Sequence, residues 1–244
     1  AGVTDPVDEE PGDGRAQGRA DELTGADPAV RLGRLAELDG CRGHREHHRE
    51  GGRDTHTLDD QAESVLLGLA RGSGLRSLAD RFDRLAARLV ADDWAHGDLK
   101  PENIIVGDDG TLCPIDFDAS YLPAFAGEIS PELGTAAYQH PARTAADFDE
   151  RIDDYPAALI STALHALALD PTLYVRYPDA DGLLFTPQKI GTDAALCEVL
   201  ALFERWGLAA QYRIARLLRS PSLRLPGLPQ LLALAAETTE TDEI

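Results

Sequence analysis

The sequence predicts an α+β fold that is mainly α-helical and contains one small β-hairpin. Apolar residues recur at helical spacing in most segments after residue 56, and a strongly apolar stretch at 153–169 predicts a buried helix. Two short runs that favour β-strands, Ile104–Val106 and Leu112–Ile115, flank a turn at Asp108–Gly110 and predict the hairpin. At 244 residues the chain is long enough to bury the core of one large domain or two small ones.

The first 55 residues are predicted to form a poorly ordered arm. Glycine, acidic residues and arginine dominate this segment, so it buries too little apolar surface to offset the entropy cost of ordering. One helix is predicted within the arm at Pro28–Leu38, and another, capped by Thr57, is predicted to end at Gly72 or Gly74. The next helix is expected to bury one face, made of Leu75, Leu78, Phe82, Leu85, Leu89 and Val90.

Beyond the hairpin, the chain is predicted to be helical apart from one irregular stretch. Residues 119–143 contain glycine, proline and aromatic residues without a clear period, and they are expected to be ordered but irregular. The acidic tail at 238–244 is expected to fray. Helices are predicted at 153–169, 192–206, 209–219 and 228–237.

The acidic composition limits the partners that the sequence predicts. The formal net charge is −20 and no long basic tract occurs, so no nucleic-acid partner and no membrane partner are expected. The three cysteines, Cys41, Cys113 and Cys197, are far apart and odd in number, which predicts no disulfide framework and favours a reducing, cytoplasmic setting. The sequence contains no run of about 18 apolar residues, so no membrane span is predicted.

Four polar residues lie close together around the predicted hairpin. They are two carboxylates, Asp98 and Asp116, one lysine, Lys100, and one carboxamide, Asn103. Phosphoryl transfer from a metal-bound nucleotide needs an acceptor for the proton of the attacking hydroxyl, a cation for the phosphate and oxygen ligands for Mg²⁺. The set therefore predicts a site that uses ATP and Mg²⁺.

The run His96–Val106, taken together with Ile115–Asp118, resembles the catalytic loop and metal-binding segment of the protein kinase family. Gly134–Tyr138 resembles the end of the activation segment. The resemblance covers about residues 75–220 and is most specific to a bacterial kinase-like subgroup. We assign residues 79–237 to a kinase-like C-terminal lobe. It implies a serine/threonine-type phosphotransferase that moves the γ-phosphate of Mg-ATP to a hydroxyl on a protein or small molecule.

The same resemblance implies a role for each polar residue of the run. Asp98 would orient the acceptor hydroxyl, and Lys100 would contact the nucleotide and neutralise charge on its phosphate. Asn103 and Asp116 would bind the nucleotide through Mg²⁺, as oxygen ligands of the metal. Asp153 would hydrogen-bond the backbone of the catalytic loop.

The sequence departs from the kinase pattern at three positions and lacks a recognisable N-terminal lobe. Gly97 stands where an arginine usually precedes the catalytic aspartate, Asp118 replaces a glycine, and Ala142 replaces a glutamate. No lysine occurs before Lys100, so the residue that would hold the α- and β-phosphates is missing. The activity is therefore predicted to be weak or lost, and a non-catalytic kinase-fold binding or scaffold module is the alternative.

A segment further upstream resembles a second family. His56–Leu78 resembles a helix of the tRNA(Ile)-lysidine synthetase family, which adenylates a tRNA cytidine and then attaches lysine. The matching acidic positions, which lie near ATP and metal in that family, are Asp59, Asp60 and Glu63, although acidic residues in a first helical turn are also simply favourable. The family's Ser-Gly-Gly-x-Asp-Ser loop does not occur in this sequence. A fragment of such an ATP-dependent ligase is a further alternative, and the segment is expected to pack on the kinase-like lobe as a surrogate helix.

Overall fold

Six α-helices and one two-stranded antiparallel sheet form the part of the chain that the computed structural model describes, residues 74–107, 109–178 and 182–237. The helices are α1 (Gly74–Leu89), α2 (Asp154–Leu169), α3 (Leu173–Arg176), α4 (Ala194–Arg205), α5 (Ala209–Leu217) and α6 (Leu228–Glu237). The strands are β1 (Ile104–Val106) and β2 (Leu112–Pro114). The predicted α+β, mainly α fold class with a small hairpin is confirmed. The kinase-like assignment of 79–237 stays a prediction, and the arm, the helix capped by Thr57 and the acidic tail lie outside the described residues.

Helix α2 is buried on almost every side and forms the centre of the described region. Its sequence is apolar around the whole helix, which is the pattern of a helix that presents no face to water. Every residue from Asp154 to Leu167 is buried, and α2 contacts α1, α4, α5 and α6. Thr162 Oγ1 donates to the Ala158 carbonyl at 2.7 Å, which satisfies one buried hydroxyl. The predicted buried helix at 153–169 is confirmed to within one residue.

Helix α1 packs against α2 on one side and α6 on the other. The predicted apolar face of α1 is buried as expected, because its residues recur at helical spacing and pack against the neighbouring helices. The later helices are also confirmed, with ends within two residues of those predicted. The short helix α3 was not predicted, since four residues leave no measurable period.

The hairpin pairs Ile104 with Pro114 and Val106 with Leu112, as an antiparallel ladder. Gly110, at the turn, has φ 78°, and an added Cβ would lie 1.4 Å from an Arg81 guanidinium nitrogen of α1. The hairpin therefore lies directly against α1. On β2, Cys113 is disulfide-bonded, although the spacing and odd number of the cysteines predicted no disulfide framework, because distance along the chain does not determine distance in the fold.

The stretch that connects the hairpin to α2 is irregular, as predicted, and is ordered by aromatic packing. Tyr121 and Phe148 meet edge to face with ring centroids 5.2 Å apart, and Phe125 stacks on Phe148 at 6.4 Å. Ala95 pairs with Tyr121 through two backbone hydrogen bonds of 3.1 and 2.9 Å, which ties this cluster to the segment that precedes Asp98. Within the described ranges, no helix has the length and apolar character needed to cross a membrane.

Candidate functional site

Asp98 lies at the centre of the candidate site, where Lys100, Asn103 and Thr135 contact its carboxylate. Its Oδ1 accepts a hydrogen bond from the Thr135 backbone N–H at 2.5 Å, and its Oδ2 lies 3.1 Å from Lys100 Nζ. Asn103 Nδ2 donates to the Asp98 carbonyl oxygen at 2.9 Å and to its Oδ2 at 3.3 Å. The structure therefore brings three of the four predicted site residues into direct contact.

The Asp98 carboxylate is ionised and lies beside a cation. Burial opposes its ionisation, but the hydrogen bond from Thr135 and the Lys100 ammonium outweigh burial and lower the pKa of Asp98 below its usual value. Lys100 Nζ also donates to Thr135 Oγ1 at 2.9 Å, so the ammonium is oriented from two sides. An ionised carboxylate in this position can accept a proton or a hydrogen bond from a hydroxyl.

Asp153, at the start of α2, binds the backbone just before Asp98. Its two carboxylate oxygens accept from the His96 N–H at 2.5 Å and from the Gly97 N–H at 3.0 Å. The side chain is 1% exposed, and burial raises its pKa, although the two N–H groups and the nearby Arg143 guanidinium act in the opposite direction. The contact that the sequence predicts for Asp153 is present.

His96 connects the Asp98 loop to the segment that contains Asp116. Its Nδ1 accepts from the Asp98 N–H at 3.3 Å, and its Nε2 lies 2.7 Å from the Ile115 carbonyl oxygen. A ring nitrogen that accepts a hydrogen bond holds no proton, so the proton is on Nε2 and is donated to Ile115. The Phe117 ring packs on the imidazole with centroids 5.0 Å apart. Together these contacts place Asp116 next to the Asp98 loop.

Asp116 has a backbone conformation that is unusual for a residue other than glycine. Its φ is 64°, in the left-handed region, which costs an L-residue roughly 1 kcal/mol or more. The Ile115 N–H donates to the Asn103 carbonyl at 2.9 Å, which fixes the chain just before it. The Asp116 side chain is exposed, and none of the hydrogen bonds or ion pairs among the described residues involves its carboxylate. Outliers of this kind concentrate at functional sites.

Asn103 and Asp116 are the two residues that fit a hard cation. Asn103 is 5% exposed, and its Nδ2 is directed at Asp98, which leaves its Oδ1 without a donor among the described residues. Mg²⁺ prefers carboxylate and amide oxygens, takes one or two of them from the protein and keeps several waters. Within the described ranges, no group of three or more His, Cys, Asp or Glu residues is placed to hold a metal ion. The Mg²⁺ role of this pair stays a prediction.

Two glycines allow backbone segments to approach Asp98 closely. Gly97 has φ 85°, and an added Cβ would lie 2.0 Å from the Ala119 carbonyl oxygen. Gly134 has φ 69°, and an added Cβ would lie 2.7 Å from the Gly97 carbonyl oxygen and 2.9 Å from Asp98 Oδ1. The departure at Gly97 therefore has a steric cause, because no side chain fits there.

Arg143 is the main residue near the site that sequence reasoning missed. Its Nη1 donates to the Gly97 carbonyl at 2.9 Å and to Gln139 Oε1 at 2.5 Å. The side chain is 9% exposed, and burial lowers the pKa of the guanidinium while Asp153 and Asp98 act in the opposite direction. A guanidinium therefore lies against the loop whose own arginine is absent. Sequence reasoning had little to find it by, because Arg143 is a single arginine in an irregular stretch and lies 46 residues from Gly97, its partner.

A cavity of about 750 Å³ lies elsewhere, between α1, the hairpin and α6. Arg81, Arg84 and Arg88 of α1 line it together with Leu112 of β2 and Ala236 of α6. None of the predicted site residues lines this cavity, so it is separate from the Asp98 site.

Comparison with known proteins finds similarity to tRNA(Ile)-lysidine synthases over part of the chain, and no protein-family profile matches. The synthase of Mycobacterium tuberculosis is 52% identical over 56 residues, which are 22% of this chain and 15% of that protein. The synthase of Leifsonia xyli subsp. xyli is 35% identical over 119 residues, which are 45% of this chain and 33% of that protein. The synthase of Nocardia farcinica is 87% identical over 23 residues, which are 9% of this chain and 7% of that protein.

The chain therefore spans a third or less of the length of these relatives. The match of 23 residues has the length of His56–Leu78, and the predicted resemblance of a short segment to this family is confirmed. The Leifsonia match covers 45% of 244 residues, or about 110, which exceeds the 73 residues that precede α1. That match consequently includes described residues.

Two predictions are wrong in light of these relatives. The description as a protein kinase that phosphorylates serine or threonine is overturned, because the relatives are named as tRNA(Ile)-lysidine synthases. The expectation of no nucleic-acid partner is overturned because the name of these relatives makes a tRNA their substrate. Net charge was a poor guide, since it sums over the whole chain and does not report on local surfaces. The roles of Asp98, Lys100, Asn103 and Asp116 stay predictions.

Proposed function

We propose that this chain belongs to an ATP-dependent enzyme that binds nucleotide and Mg²⁺ between Asp98 and Asp116. The observation that supports this most is the convergence of Lys100 and Asn103 on the single ionised carboxylate of Asp98. A surface turn needs neither a lysine nor a carboxamide aimed at one carboxylate, whereas a site for phosphoryl transfer to a hydroxyl uses all three. The exposed carboxylate of Asp116, which has no partner among the described residues, would add a cation ligand.

The geometry favours transfer of a phosphoryl group to a hydroxyl acceptor. A hydroxyl bound to Asp98 would lie beside the Lys100 ammonium, which offsets negative charge on the incoming phosphate. As the new O–P bond forms and the bond to ADP breaks, Asp98 would take the hydroxyl proton. Mg²⁺, when held by Asn103 and Asp116, would offset charge on the β- and γ-phosphates. The proposal requires of the acceptor a hydroxyl group that can reach Asp98.

A ligase related to tRNA(Ile)-lysidine synthase is the second candidate, and the sequence comparisons favour it. The supporting observation is the 87% identity over 23 residues with the Nocardia farcinica protein. In this candidate, Asp59, Asp60 and Glu63 would lie near ATP and metal, and a tRNA would be the nucleic-acid partner. The Asp98 cluster would then have no part in the first chemical step.

Calorimetry of Mg²⁺-dependent ATP binding to the purified chain distinguishes an ATP site at Asp98 and Asp116 from one near Asp59 and Asp60. We expect Asp116→Ala and Asn103→Ala to weaken binding at least about tenfold, because each removes an oxygen ligand of the metal. Glu128→Ala is the matched control, since Glu128 is an exposed carboxylate of the same irregular stretch and lies outside the site. Binding that survives Asp116→Ala and is lost in Asp59→Ala with Asp60→Ala would contradict the Asp98 location and support the second candidate.

The products of ATP turnover separate the two chemistries. Phosphoryl transfer releases ADP, whereas adenylation of a substrate releases pyrophosphate and later AMP. We expect ADP that depends on Asp98, tested with Asp98→Asn, in the presence of a hydroxyl-bearing acceptor mixture. Pyrophosphate that appears when tRNA is added, with AMP released once lysine is also present, and both persisting in Asp98→Asn, would establish the ligase instead.

A further inference from the structure

We propose that Arg143 is a positioning residue of the Asp98 site: its buried guanidinium fixes the Gly97 peptide and thereby the direction of the Asp98 carboxylate. The inference deepens the proposed phosphoryl-transfer function and rests on it. Arg143 touches neither nucleotide nor acceptor in this scheme, so its effect is exerted entirely through the loop.

The peptide groups on both sides of Gly97 are held by charged side chains from outside the loop. The Gly97 N–H donates to Asp153 Oδ1 at 3.0 Å, and the Gly97 carbonyl accepts from Arg143 Nη1 at 2.9 Å. Asp98 follows immediately, so the plane of the peptide bond that joins Gly97 to Asp98 is set by Arg143. Glycine has more backbone freedom than any other residue, and without these two bonds the Asp98 side chain would sample several directions.

Arg143 also contacts the second segment that binds Asp98. Its Nη1 donates to Gln139 Oε1, and Gln139 Nε2 lies 2.8 Å from the place where a Cβ on Gly134 would be. Gly134 precedes Thr135, whose N–H donates to Asp98 Oδ1 at 2.5 Å. The guanidinium therefore lies between the two backbone segments that orient the carboxylate, one before it in the chain and one 37 residues after it.

Stability alone does not account for an arginine at this position. Nε and Nη2 of Arg143 are buried and have no hydrogen-bond partner among the described residues, and an unpaired buried donor is destabilising. An apolar side chain of similar length would remove these two unpaired donors. What it would lack is the bond to Gly97 and a positive charge facing the carboxylates of Asp153 and Asp98.

The test compares Arg143→Met, which keeps the length and removes the charge and donors, with Arg143→Lys, which keeps a cation. Arg151→Met is the matched control, because Arg151 is also a partly buried arginine that binds a backbone carbonyl, that of Val90, and an aspartate, Asp154, but it does not touch the Asp98 loop. Steady-state kinetics of Mg-ATP-dependent transfer give kcat and KM, and amide hydrogen exchange at Gly97 and Asp98 reports opening of the loop.

We expect Arg143→Met to lower kcat about a hundredfold, as a misplaced reacting group does, with KM for Mg-ATP unchanged within about twofold. Arg143→Lys should recover kcat to within about tenfold of the original chain. Exchange at Gly97 and Asp98 should rise at least about tenfold in Arg143→Met and stay unchanged in Arg151→Met. Unchanged kcat in Arg143→Met, or an equal loss of kcat in Arg151→Met, would overturn the proposal.

The exchange measurement keeps this inference distinct from the proposed function. If the original chain shows no Mg-ATP-dependent transfer, the proposed function fails, and faster exchange at Gly97 and Asp98 in Arg143→Met would still support the positioning role. Unchanged exchange would overturn it. Should Arg143→Met not fold, Arg143→Gln replaces it with the same expectations, because glutamine keeps a donor but carries no charge.

Discussion

Asp83 of α1 and His165 of α2 are joined by a 2.6 Å contact between Asp83 Oδ2 and His165 Nε2, and both side chains are buried. This pair is a polar contact between two helices that pack closely together, so it constrains their register as well as their proximity.

Removal of either partner should be strongly destabilising, because the other is left buried without a partner. We expect Asp83→Ala and His165→Ala each to lower the free energy of unfolding by about 3 kcal/mol, measured by urea denaturation. The double variant should lose less than the sum of the two by at least about 1 kcal/mol. Additive losses would show that the two side chains do not interact.

The hydroxyl of Tyr155 should be dispensable for stability. Tyr155 is 1% exposed, and its hydroxyl has no hydrogen-bond partner among the described residues, so Tyr155→Phe removes an unpaired buried polar group. We expect this variant to be as stable as the original chain or more stable by about 1 kcal/mol. Tyr177→Phe is the control, because the Tyr177 hydroxyl donates to Glu198 Oε2 at 2.6 Å and its loss should slightly destabilise the protein. A clear loss of stability in Tyr155→Phe would indicate a hydrogen bond to that hydroxyl.

A methyl group at Gly97 should disrupt the site. Gly97→Ala combines a left-handed backbone with a clash against the Ala119 carbonyl, and we expect a loss of at least about 3 kcal/mol together with loss of Mg-ATP binding. Gly127 has nearly the same φ, 88°, with nothing within 4 Å of an added Cβ. Gly127→Ala should therefore cost only about 1 kcal/mol and leave binding unchanged. Equal losses of stability in both variants would show that the cost comes from the left-handed backbone angle and not from the clash with Ala119.

The stability of the protein should fall as the pH rises from about 4 to 7, in part because of Asp154. Burial raises the pKa of Asp154 to about 6, against the hydrogen bond from the Leu225 N–H and the ion pair with Arg151. The folded chain thus keeps a proton that the unfolded chain releases near pH 4, so this stabilisation is complete below pH 4 and is lost through pH 6. A shift of about two pKa units corresponds to about 3 kcal/mol.

Urea denaturation of Asp154→Asn at several pH values tests this directly. The fall in unfolding free energy between pH 4 and 7 should be smaller than in the original chain. Asp170→Asn should leave the profile between pH 4 and 7 unchanged and alter it only below about pH 4, because hydrogen bonds from Thr172 lower the pKa of Asp170 and its contribution is lost as the pH falls. An unchanged profile in Asp154→Asn would mean that the pKa of this carboxyl is the same in the folded and the unfolded chain.

The helices and the hairpin could be predicted because their signals are local. The apolar face of α1 and the all-round apolar sequence of α2 each follow from spacing within one segment. The hairpin ladder likewise needs only two short runs and the turn between them.

The contacts that complete the candidate site could be predicted only in part. Lys100 and Asn103 lie within five residues of Asp98, so their convergence on it follows from one short loop. The bonds of Arg143 to Gly97 and of Thr135 to Asp98 span 46 and 37 residues and arise in a stretch without periodicity. Spacing says nothing about such contacts, because the path of an irregular chain depends on packing such as that between Tyr121 and Phe148.

Every hydrogen bond that orients the Asp98 loop comes from a residue at most 57 positions away along the chain. By contrast, α1 packs against α6, whose first residue is Leu228. Closing the shorter loops costs less chain entropy, although the difference is under about 1 kcal/mol because the cost grows only logarithmically. Shorter loops therefore favour assembly of the loop around Asp153 before α6 docks on α1, so the candidate site is built from the more local contacts of the fold.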